Sequence, residues 1–383
     1  MLRAPRPVVA AQPAHTELWI AAHASSLANS GQALQVWPRM LVTDPYIKSE
    51  KRGPLGLLTL ERPQALNALT HGMIKALAAR LQAWAVDDAI KCVAIRGAGE
   101  RAFCAGGDIR AVQQAVAAGR ARDGADLLRD EYRMNALIGA YPKPYIALLH
   151  GVTMGGGAGL SVHGRTRLAD DTLAFAMPET AIGFIPDVGS SYFLSRLPDA
   201  IGMYLGLTGT RIGQGDALDA GLVTHAVRKQ DFESVIDGLA QGEAVGRTIA
   251  AFAYKAASGP LRQHRRSIAT FFGAASVEAI LERLDRDGGD FARSVSQEIR
   301  TRSPTSLKLV FRQLRQARQF TLDQCLAMEL RLALRVLEAH DFREGVRAAL
   351  VDKDRNPRWQ PSSLAAVGDL DGYFASLGAD ELF

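Results

Sequence analysis

The sequence predicts an α/β fold with buried sheets, followed by a helical C-terminal region. Short apolar runs alternate with segments of helical spacing between residues 53 and 231, and from about Phe232 onwards the pattern is nearly all helical. Strands that alternate with helices are typical of sheets covered by helices on their faces. A hydrophobic content of 48% with 22% charged residues is ordinary for a globular protein.

The elements follow one another in a regular order. Apolar runs predict strands at Gly56–Leu60, Lys91–Gly97, Pro144–Val152, Arg167–Ala169, Thr172–Ala176 and Thr224–Val227. Apolar residues at helical spacing predict a first helix over residues 68–88, a second after Asp108, and C-terminal helices over Pro304–Phe320 and Leu322–Ala339.

This order divides the chain into three parts. Residues 1–45 are an N-terminal extension, 46–231 the α/β core that carries the active site, and 232–383 a helical C-terminal region. The extension starts MLRAPRPVV and has no acidic residue before Glu17, which is compatible with a targeting peptide. A disordered extension, or a natural start at Met40, are the alternatives.

Composition excludes several classes of function. The net charge of +5 is compatible with an anionic substrate but too weak to indicate a nucleic-acid partner. The three cysteines show no CxxC pairing, so no metal site is expected. The longest apolar run, Pro144–Val162, contains His150 and five glycines and is a poor membrane span, so no membrane partner is expected.

Two glycine-rich motifs each follow a predicted strand and precede a helix. They are AFCAGGDIR, Ala102–Arg110, and HGVTMGGGAGL, His150–Leu160. Glycines and helix N-termini present backbone N–H groups to a ligand, so two such turns can supply two donors to one oxyanion. Two tight turns without a ligand are the alternative reading.

Other catalytic motifs are not supported. A dinucleotide fingerprint fails because residue 160 is Leu, and G-x-S-x-G does not occur. Cys104, His150 and His163 are interpreted as structural rather than catalytic, because nothing at fixed spacing marks a partner for them.

Two acids lie in an apolar, turn-rich stretch, FAMPETAIGFIPDVG. Neither Glu179 nor Asp187 has a Lys or Arg within five residues. Because burying an unpaired carboxylate is costly, such acids are exposed, hydrogen-bonded or retained for chemistry.

These motifs, together with KPYIALLHGVTMGGGAGLSVHG and FREGVRAALVDKDRNPRW, resemble the crotonase (enoyl-CoA hydratase/isomerase) superfamily, and more closely its 3-hydroxyisobutyryl-CoA hydrolase branch. The resemblance runs from about Gly53 to Trp359. It implies a crotonase-type spiral of strand–strand–helix repeats with a helical C-terminal region, acting on an acyl-CoA.

The resemblance also implies roles for individual residues. Gly107 and Gly156 are the backbone oxyanion donors, and Glu179 and Asp187 the catalytic acids that also contact substrate. Glu131, in RDEYRMN, is a further substrate-contacting acid. The residues expected to contact CoA are Gly107, Asp108, Ile109 and Arg110.

One departure favours hydrolysis over hydration. Hydratases place a glutamate two residues after the glycine triplet, where this chain has Gly159. Thioester hydrolysis needs an oxyanion hole and a carboxylate that attacks the carbonyl carbon or activates water, and both routes remain open. The expected reaction converts 3-hydroxyisobutyryl-CoA to the free hydroxy acid and CoA, as in valine breakdown, with 3-hydroxypropionyl-CoA as a further substrate. A crotonase-type hydratase or isomerase is the alternative, and a non-catalytic relative of the same fold a third.

The hypothesis also covers the cofactor, the cellular location and the assembly of the protein. No cofactor is expected beyond the CoA of the substrate. The cytoplasm is the expected location, with the mitochondrial matrix as the alternative, and a homo-oligomer is one expected assembly.

Overall fold

The computed structural model describes residues 42–109, 112 and 121–383. All but the last four residues of the N-terminal extension, 1–45, lie outside the described residues, and so does Arg110.

The described residues form ten strands in two sheets. The strands are β1 Ile47–Arg52, β2 Leu55–Leu60, β3 Cys92–Gly97, β4 Ala102–Cys104, β5 Tyr145–Leu149, β6 Val152–Met154, β7 Thr166–Ala169, β8 Ala174–Ala176, β9 His225–Val227 and β10 Ala253–Tyr254. The larger sheet has the order β1-β2-β3-β5-β7-β9-β10, parallel from β2 to β9 and antiparallel at both edges. The smaller sheet is parallel, with the order β4-β6-β8.

Successive strand pairs divide between the two sheets. In each of the pairs β3/β4, β5/β6 and β7/β8, the first strand joins the larger sheet and the second joins the smaller one. A helix follows each of the first two pairs before the next strand begins. This is the spiral of strand–strand–helix repeats, so the predicted α/β fold class is confirmed.

The helices of the described residues follow, in chain order. They are α1 His71–Ala85, α2 Ala121–Gly139, α3 Gly156–Val162, α4 Ser190–Leu194, α5 Ile201–Thr208, α6 Gln214–Asp219, α7 Phe232–Ala240, α8 Val245–Phe252, α9 Arg265–Phe272, α10 Val277–Asp287, α11 Asp290–Arg300, α12 Pro304–Ala317, α13 Leu322–Glu338, α14 His340–Val346 and α15 Asp371–Phe374. A 3-10 helix, Glu179–Ile182, lies between β8 and α4. No helix among the described residues combines the length and apolar character needed to cross a bilayer.

Local sequence explains where two of the long helices, α1 and α13, begin. The side chain of Thr70 accepts the N–H of Met73 at the start of α1. Thr321 and Gln324 form a reciprocal capping box at the start of α13. These side chains satisfy N–H groups that the first turn of a helix leaves unpaired.

The structure differs from the strand predictions at four places, one of which is β4, Ala102–Cys104, which was not predicted as a strand. The run Pro144–Val152 forms β5 and then β6 in different sheets, because Gly151 adopts a φ of 55° and turns the chain. A Cβ at Gly151 would lie 2.2 Å from the carbonyl oxygen of Arg101, so only glycine fits. β1 was not predicted because its sequence, IKSEKR, is a polar edge strand, and β10 is a short strand within the segment predicted as helical.

The core has two layers on opposite faces of the larger sheet. Along β2, Leu55 and Leu57 face one hydrophobic cluster while Leu58 and Leu60 face the other. Burial on both faces is characteristic of parallel sheets and explains the continuous apolar runs. The larger cluster includes the C-terminal helices, which therefore belong to the same core as the sheets.

The helix α14 packs directly on the segment that carries the first acid. A Cβ at Gly183 would lie 2.2 Å from the carbonyl oxygen of Asp341, and one at Gly345 would lie 2.3 Å from the carbonyl carbon of Ile182. Ser303 and Asp341 are hydrogen-bonded at 2.6 Å behind this contact. The C-terminal region thus fixes the position of the Glu179–Ile182 turn.

Candidate active site

A cavity of about 710 Å³ opens where the smaller sheet meets α2 and the Glu179–Ile182 turn. Its size falls in the range of about 300–1,000 Å³ that is common for small-molecule sites. The predicted site residues that line it are Gly107, Asp108, Ile109, Glu131, Gly156, Glu179 and Asp187. The structure therefore brings together all the predicted site residues except Arg110, which lies outside the described residues.

The two glycine turns face each other at the base of the cavity. Gly107 follows β4 and Gly156 begins α3, and β4 and β6 are parallel neighbours. A Cβ at Gly106 would lie 3.6 Å from the amide nitrogen of Gly156. Within the described part of the chain, neither the N–H of Gly107 nor that of Gly156 donates to a backbone or side-chain acceptor. Two adjacent N–H donors are therefore available to one acceptor, as an oxyanion hole requires.

Two glutamates flank these turns. A Cβ built on Gly156 would lie 2.5 Å from Oε1 of Glu131, and one on Gly155 would lie 3.2 Å from Oε1 of Glu179. Among the described residues, Oε1 of Glu131 and Oε2 of Glu179 are buried without a hydrogen-bond partner. Any larger residue at either glycine would displace a carboxylate, so the triplet also sets how closely the acids approach the donors.

The second predicted acid has a dedicated donor. The hydroxyl group of Tyr132 donates to Oδ2 of Asp187 at 2.7 Å, and both side chains are buried. Tyr132 follows Glu131 on α2, so one helix supplies an acid to the cavity and a donor to another acid.

Burial raises the pKa of all three carboxyl groups above their ordinary values. Glu131, Glu179 and Asp187 are 3%, 8% and 6% exposed, and none of them forms an ion pair within the described residues. The negative charge of Asp187 raises the pKa of Glu131 and of Glu179 further. The hydrogen bond from Tyr132 opposes the effect of burial on the pKa of Asp187. Because a donor to a carboxylate favours its charged form, the hydrogen bond from Tyr132 favours the ionised form of Asp187.

The position of the hydratase glutamate is filled by other residues. A Cβ at Gly159 would lie 2.7 Å from Nδ2 of Asn135 and 2.8 Å from Cβ of Val188. Asn135 is fully buried, and within the described residues its side-chain amide has no hydrogen-bond partner. The absence of an acid at position 159 is therefore built into the packing of α2 against α3.

The other residues that could act as a nucleophile or a base, Cys104, His150 and His163, are buried and held by contacts typical of structural residues. Cys104 is fully buried, which raises the pKa of its thiol. A ring nitrogen of His163 lies 2.7 Å from the carbonyl oxygen of Val188, and one of His150 lies 3.0 Å from that of Gly99. Among the described residues, no group of three or more His, Cys, Asp or Glu side chains is placed to hold a metal ion.

Sequence reasoning missed two basic side chains and three polar ones. Arg62 and Arg101 line the cavity, and Arg62 forms an ion pair with Asp108 at 2.9 Å. The polar residues are Tyr132, Asn135 and Glu329. The signal that could have found them is a polar residue in an apolar helical stretch, as in CLAMELRLAL around Glu329.

Two adjacent backbone amides beside buried carboxyl groups are an arrangement with which enzymes of acyl-transfer chemistry can bind an acyl group by its carbonyl oxygen. The chain belongs to the enoyl-CoA hydratase/isomerase family, whose model matches residues 55–372.

The curated relatives of this chain include two vertebrate proteins. The chain is 46% identical over 344 residues to the 3-hydroxyisobutyryl-CoA hydrolase, mitochondrial, of Xenopus tropicalis, an alignment that covers 87% of this chain and 89% of the relative. It is 44% identical over 345 residues to the protein of the same name from Danio rerio, with 87% and 90% covered. A solved structure described as a carnitinyl-CoA dehydratase from Mycobacterium thermoresistibile is 38% identical, with a TM-score of 0.85 over 89% of this chain and 99% of that one.

A first prediction concerns the packing at position 159. Gly159→Ala should lower the free energy of unfolding by about 1–3 kcal/mol, because the new methyl group overlaps Asn135 and Val188. Gly246→Ala is the matched control, since Gly246 is an exposed residue of α8 whose Cβ would meet nothing within 4 Å. Urea unfolding followed by circular dichroism measures both. Equal effects of the two substitutions would contradict the overlap.

A second prediction concerns the effect of buried Glu179 on the pH dependence of the free energy of unfolding. Because the pKa of Glu179 is raised in the folded state, its contribution to stability is complete below the unfolded pKa and is lost as the pH rises. Glu179→Gln should therefore gain stability relative to wild type by about 1 kcal/mol or more between pH 5 and pH 8. Exposed Glu338 provides the control substitution Glu338→Gln. If the difference in free energy of unfolding between Glu179→Gln and wild type did not change with pH, burial would not raise the pKa of Glu179.

Proposed function

We propose that this chain hydrolyses the thioester of 3-hydroxyisobutyryl-CoA to the free hydroxy acid and CoA. The observation that carries the proposal is the cavity in which the free amides of Gly107 and Gly156 face two buried carboxyl groups, with no acid at position 159. The curated hydrolases at 46% and 44% identity support the same reading.

The glycine amides are assigned to the thioester carbonyl. Its oxygen becomes negatively charged when the carbonyl carbon is attacked, and two fixed N–H donors stabilise that charge without reorganisation. Loss of one such donor costs roughly 3–4 kcal/mol of transition-state stabilisation in other hydrolases. Asp108 and Ile109, next to Gly107, line the same cavity and are assigned to the CoA moiety.

Glu179 is assigned to the attack on the thioester. In the general-base route, ionised Glu179 takes a proton from water while the water oxygen bonds to the carbonyl carbon. The carbon–sulfur bond then breaks, and the protonated Glu179 returns the proton to the thiolate of CoA. A raised pKa makes Glu179 a strong base near neutral pH once it has ionised.

In the covalent route, the carboxylate of Glu179 itself bonds to the carbonyl carbon and displaces the thiolate. Water then hydrolyses the resulting mixed anhydride and supplies the proton that the thiolate takes up. If water attacks the glutamyl carbonyl carbon of the anhydride, turnover in H₂¹⁸O places label in the Glu179 carboxylate, which the general-base route cannot do.

Asp187 is assigned to orienting the water. The hydrogen bond from Tyr132 opposes the effect of burial on the pKa of Asp187, so the ionised form of Asp187 is favoured and can accept a hydrogen bond from water. Glu131 lies beside Gly156, and its Oε1, which has no hydrogen-bond partner among the described residues, is assigned to the 3-hydroxyl group of the acyl chain.

A hydratase or dehydratase is the second candidate. The observation in its favour is the 38% identity to structures described as a carnitinyl-CoA dehydratase and as an enoyl-CoA hydratase from Rhodobacter sphaeroides. Hydration of a double bond needs one acid to orient water and another to protonate carbon. The space that the first would occupy is taken by Asn135 and Val188, which disfavours this function.

The cellular location of the reaction is proposed from the relatives and from the N-terminal sequence. The relatives carry the word mitochondrial in their names, and they give no support to the expected cytoplasmic location. We therefore favour the mitochondrial alternative, which also suits the basic, acid-poor first residues. Homo-oligomer formation and the absence of a cofactor other than the substrate's CoA remain predictions.

A third prediction tests the proposed reaction. Purified protein should release free thiol from 3-hydroxyisobutyryl-CoA and from 3-hydroxypropionyl-CoA, which differ by one methyl group worth roughly 1–3 kcal/mol in a pocket. It should release none from crotonyl-CoA and leave the double bond of that compound intact. In Glu179→Gln, kcat should fall on the order of a hundredfold, within the range of general-base catalysis.

Two outcomes would contradict this proposal. Hydration of crotonyl-CoA without thiol release would establish the hydratase reading. If Glu179→Gln released thiol at the wild-type rate, the reaction would not take place in this cavity. Glu338→Gln provides the control for the substitution itself.

A further inference from the structure

The loop that carries Asp187 has an unfavourable backbone. Val188, the next residue, has a φ of 54°, and Gly189 has a φ of 81°. A β-branched residue in the left-handed region is a genuine outlier, because its side chain collides with the backbone. Such a conformation persists only where the surrounding structure holds it, and it is frequent at functional sites.

A buried carboxylate on α13 holds this loop by two amides. Oε2 of Glu329 accepts the N–H of Gly189 at 2.6 Å, and Oε1 accepts the N–H of Ser191 at 2.8 Å. Glu329 is fully buried and lies some 140 residues further along the chain than the loop. Both of its oxygens are thus engaged by the backbone immediately after Asp187.

Two further side chains hold carbonyl groups of the same loop. Nε2 of Gln313, on α12, donates to the carbonyl oxygen of Pro186 at 2.8 Å. A ring nitrogen of His163 lies 2.7 Å from the carbonyl oxygen of Val188. Of the three side chains, only Glu329 binds two backbone groups of the loop at once. It therefore fixes the orientation of the loop as well as its position.

We propose that Glu329 is a positioning residue for hydrolysis: by holding the amides of Gly189 and Ser191, it keeps the carboxylate of Asp187 aimed into the cavity. Glu329 does not line the cavity and is not assigned to any contact with substrate. The inference rests on the proposed function, because it assigns to Glu329 an effect on a step that Asp187 performs.

The carboxylate is the feature that the loop requires. A glutamine in place of Glu329 keeps the shape of the side chain, but only its oxygen accepts an N–H. Its NH₂ group would face the second amide of the loop, donor against donor. One hydrogen bond is lost and the loop is free to shift, whereas Gly107, Gly156 and the CoA-facing segment are untouched.

The test begins with steady-state kinetics of thiol release from 3-hydroxyisobutyryl-CoA. In Glu329→Gln, kcat should fall tenfold or more, since misplacing a reacting group by about 1 Å can cost on the order of a hundredfold. KM should stay within about twofold of wild type, because no group that binds CoA has moved. Glu338→Gln is the matched control: it makes the same chemical change at an exposed position of the same helix and should leave both constants unchanged.

A double-mutant cycle separates positioning from a general loss of structure. In an Asp187→Asn background, single-turnover rates with excess enzyme should change by no more than about twofold on adding Glu329→Gln, because Glu329 acts only through Asp187. Glu329→Asp retains both carboxyl oxygens on a shorter side chain and should lose less kcat than Glu329→Gln. It also keeps the test available if Glu329→Gln does not fold.

The outcomes of these experiments distinguish the positioning role from the proposed function. Unchanged kcat in both variants of Glu329 overturns the inference, and so does an equal fold-loss with and without the carboxylate of Asp187. If wild-type protein releases no thiol from the substrate, the proposed function is overturned and the positioning role falls with it. If wild type is active and only the cycle fails, the proposed function stands without this role.

Discussion

The burial of carboxyl groups without a neutralising cation is the constraint on which the structure of this site depends. Glu131, Glu179 and Asp187 share one cavity, and no ion pair within the described residues relieves them. Burying a charge in this way is unfavourable unless the group takes up a proton or receives hydrogen bonds, and the three groups are treated differently. Asp187 accepts a hydrogen bond from the hydroxyl group of Tyr132, whereas one oxygen of each glutamate has no hydrogen-bond partner in the part of the chain that the structure describes.

The fold makes this arrangement possible by dividing each strand pair between two sheets. Because β4 and β6 are parallel neighbours, the turns that follow them end side by side, and the amides of Gly107 and Gly156 meet there. Parallel strands place their carboxyl ends at one edge, which is where ligands bind in such sheets. The donors are therefore a direct consequence of the strand order.

The C-terminal helices hold the opposite wall. Helix α14 packs against the Glu179 turn, and Glu329 of α13 and Gln313 of α12 bind the loop of Asp187. The C-terminal helices thus determine where the carboxyl groups of Glu179 and Asp187 lie. This dependence explains why the α/β part and the helical part share a hydrophobic cluster rather than meeting at a solvated linker.

The sequence by itself determined the fold class, the glycine turns and the two acids of FAMPETAIGFIPDVG, because these features are local: apolar periodicity, turn residues and the absence of nearby cations. It also revealed the missing acid at position 159. The resemblance, rather than periodicity, placed Glu131 in the site. Only the tertiary structure decided that Asn135 and Val188 fill the space beside Gly159, that Tyr132 donates to Asp187, and that Glu329 holds the Asp187 loop. The physical reason is that these contacts join residues from 24 to 140 positions apart, from the Asn135–Gly159 pair to the Gly189–Glu329 pair. No local pattern in the chain encodes which distant side chain will meet a given backbone amide.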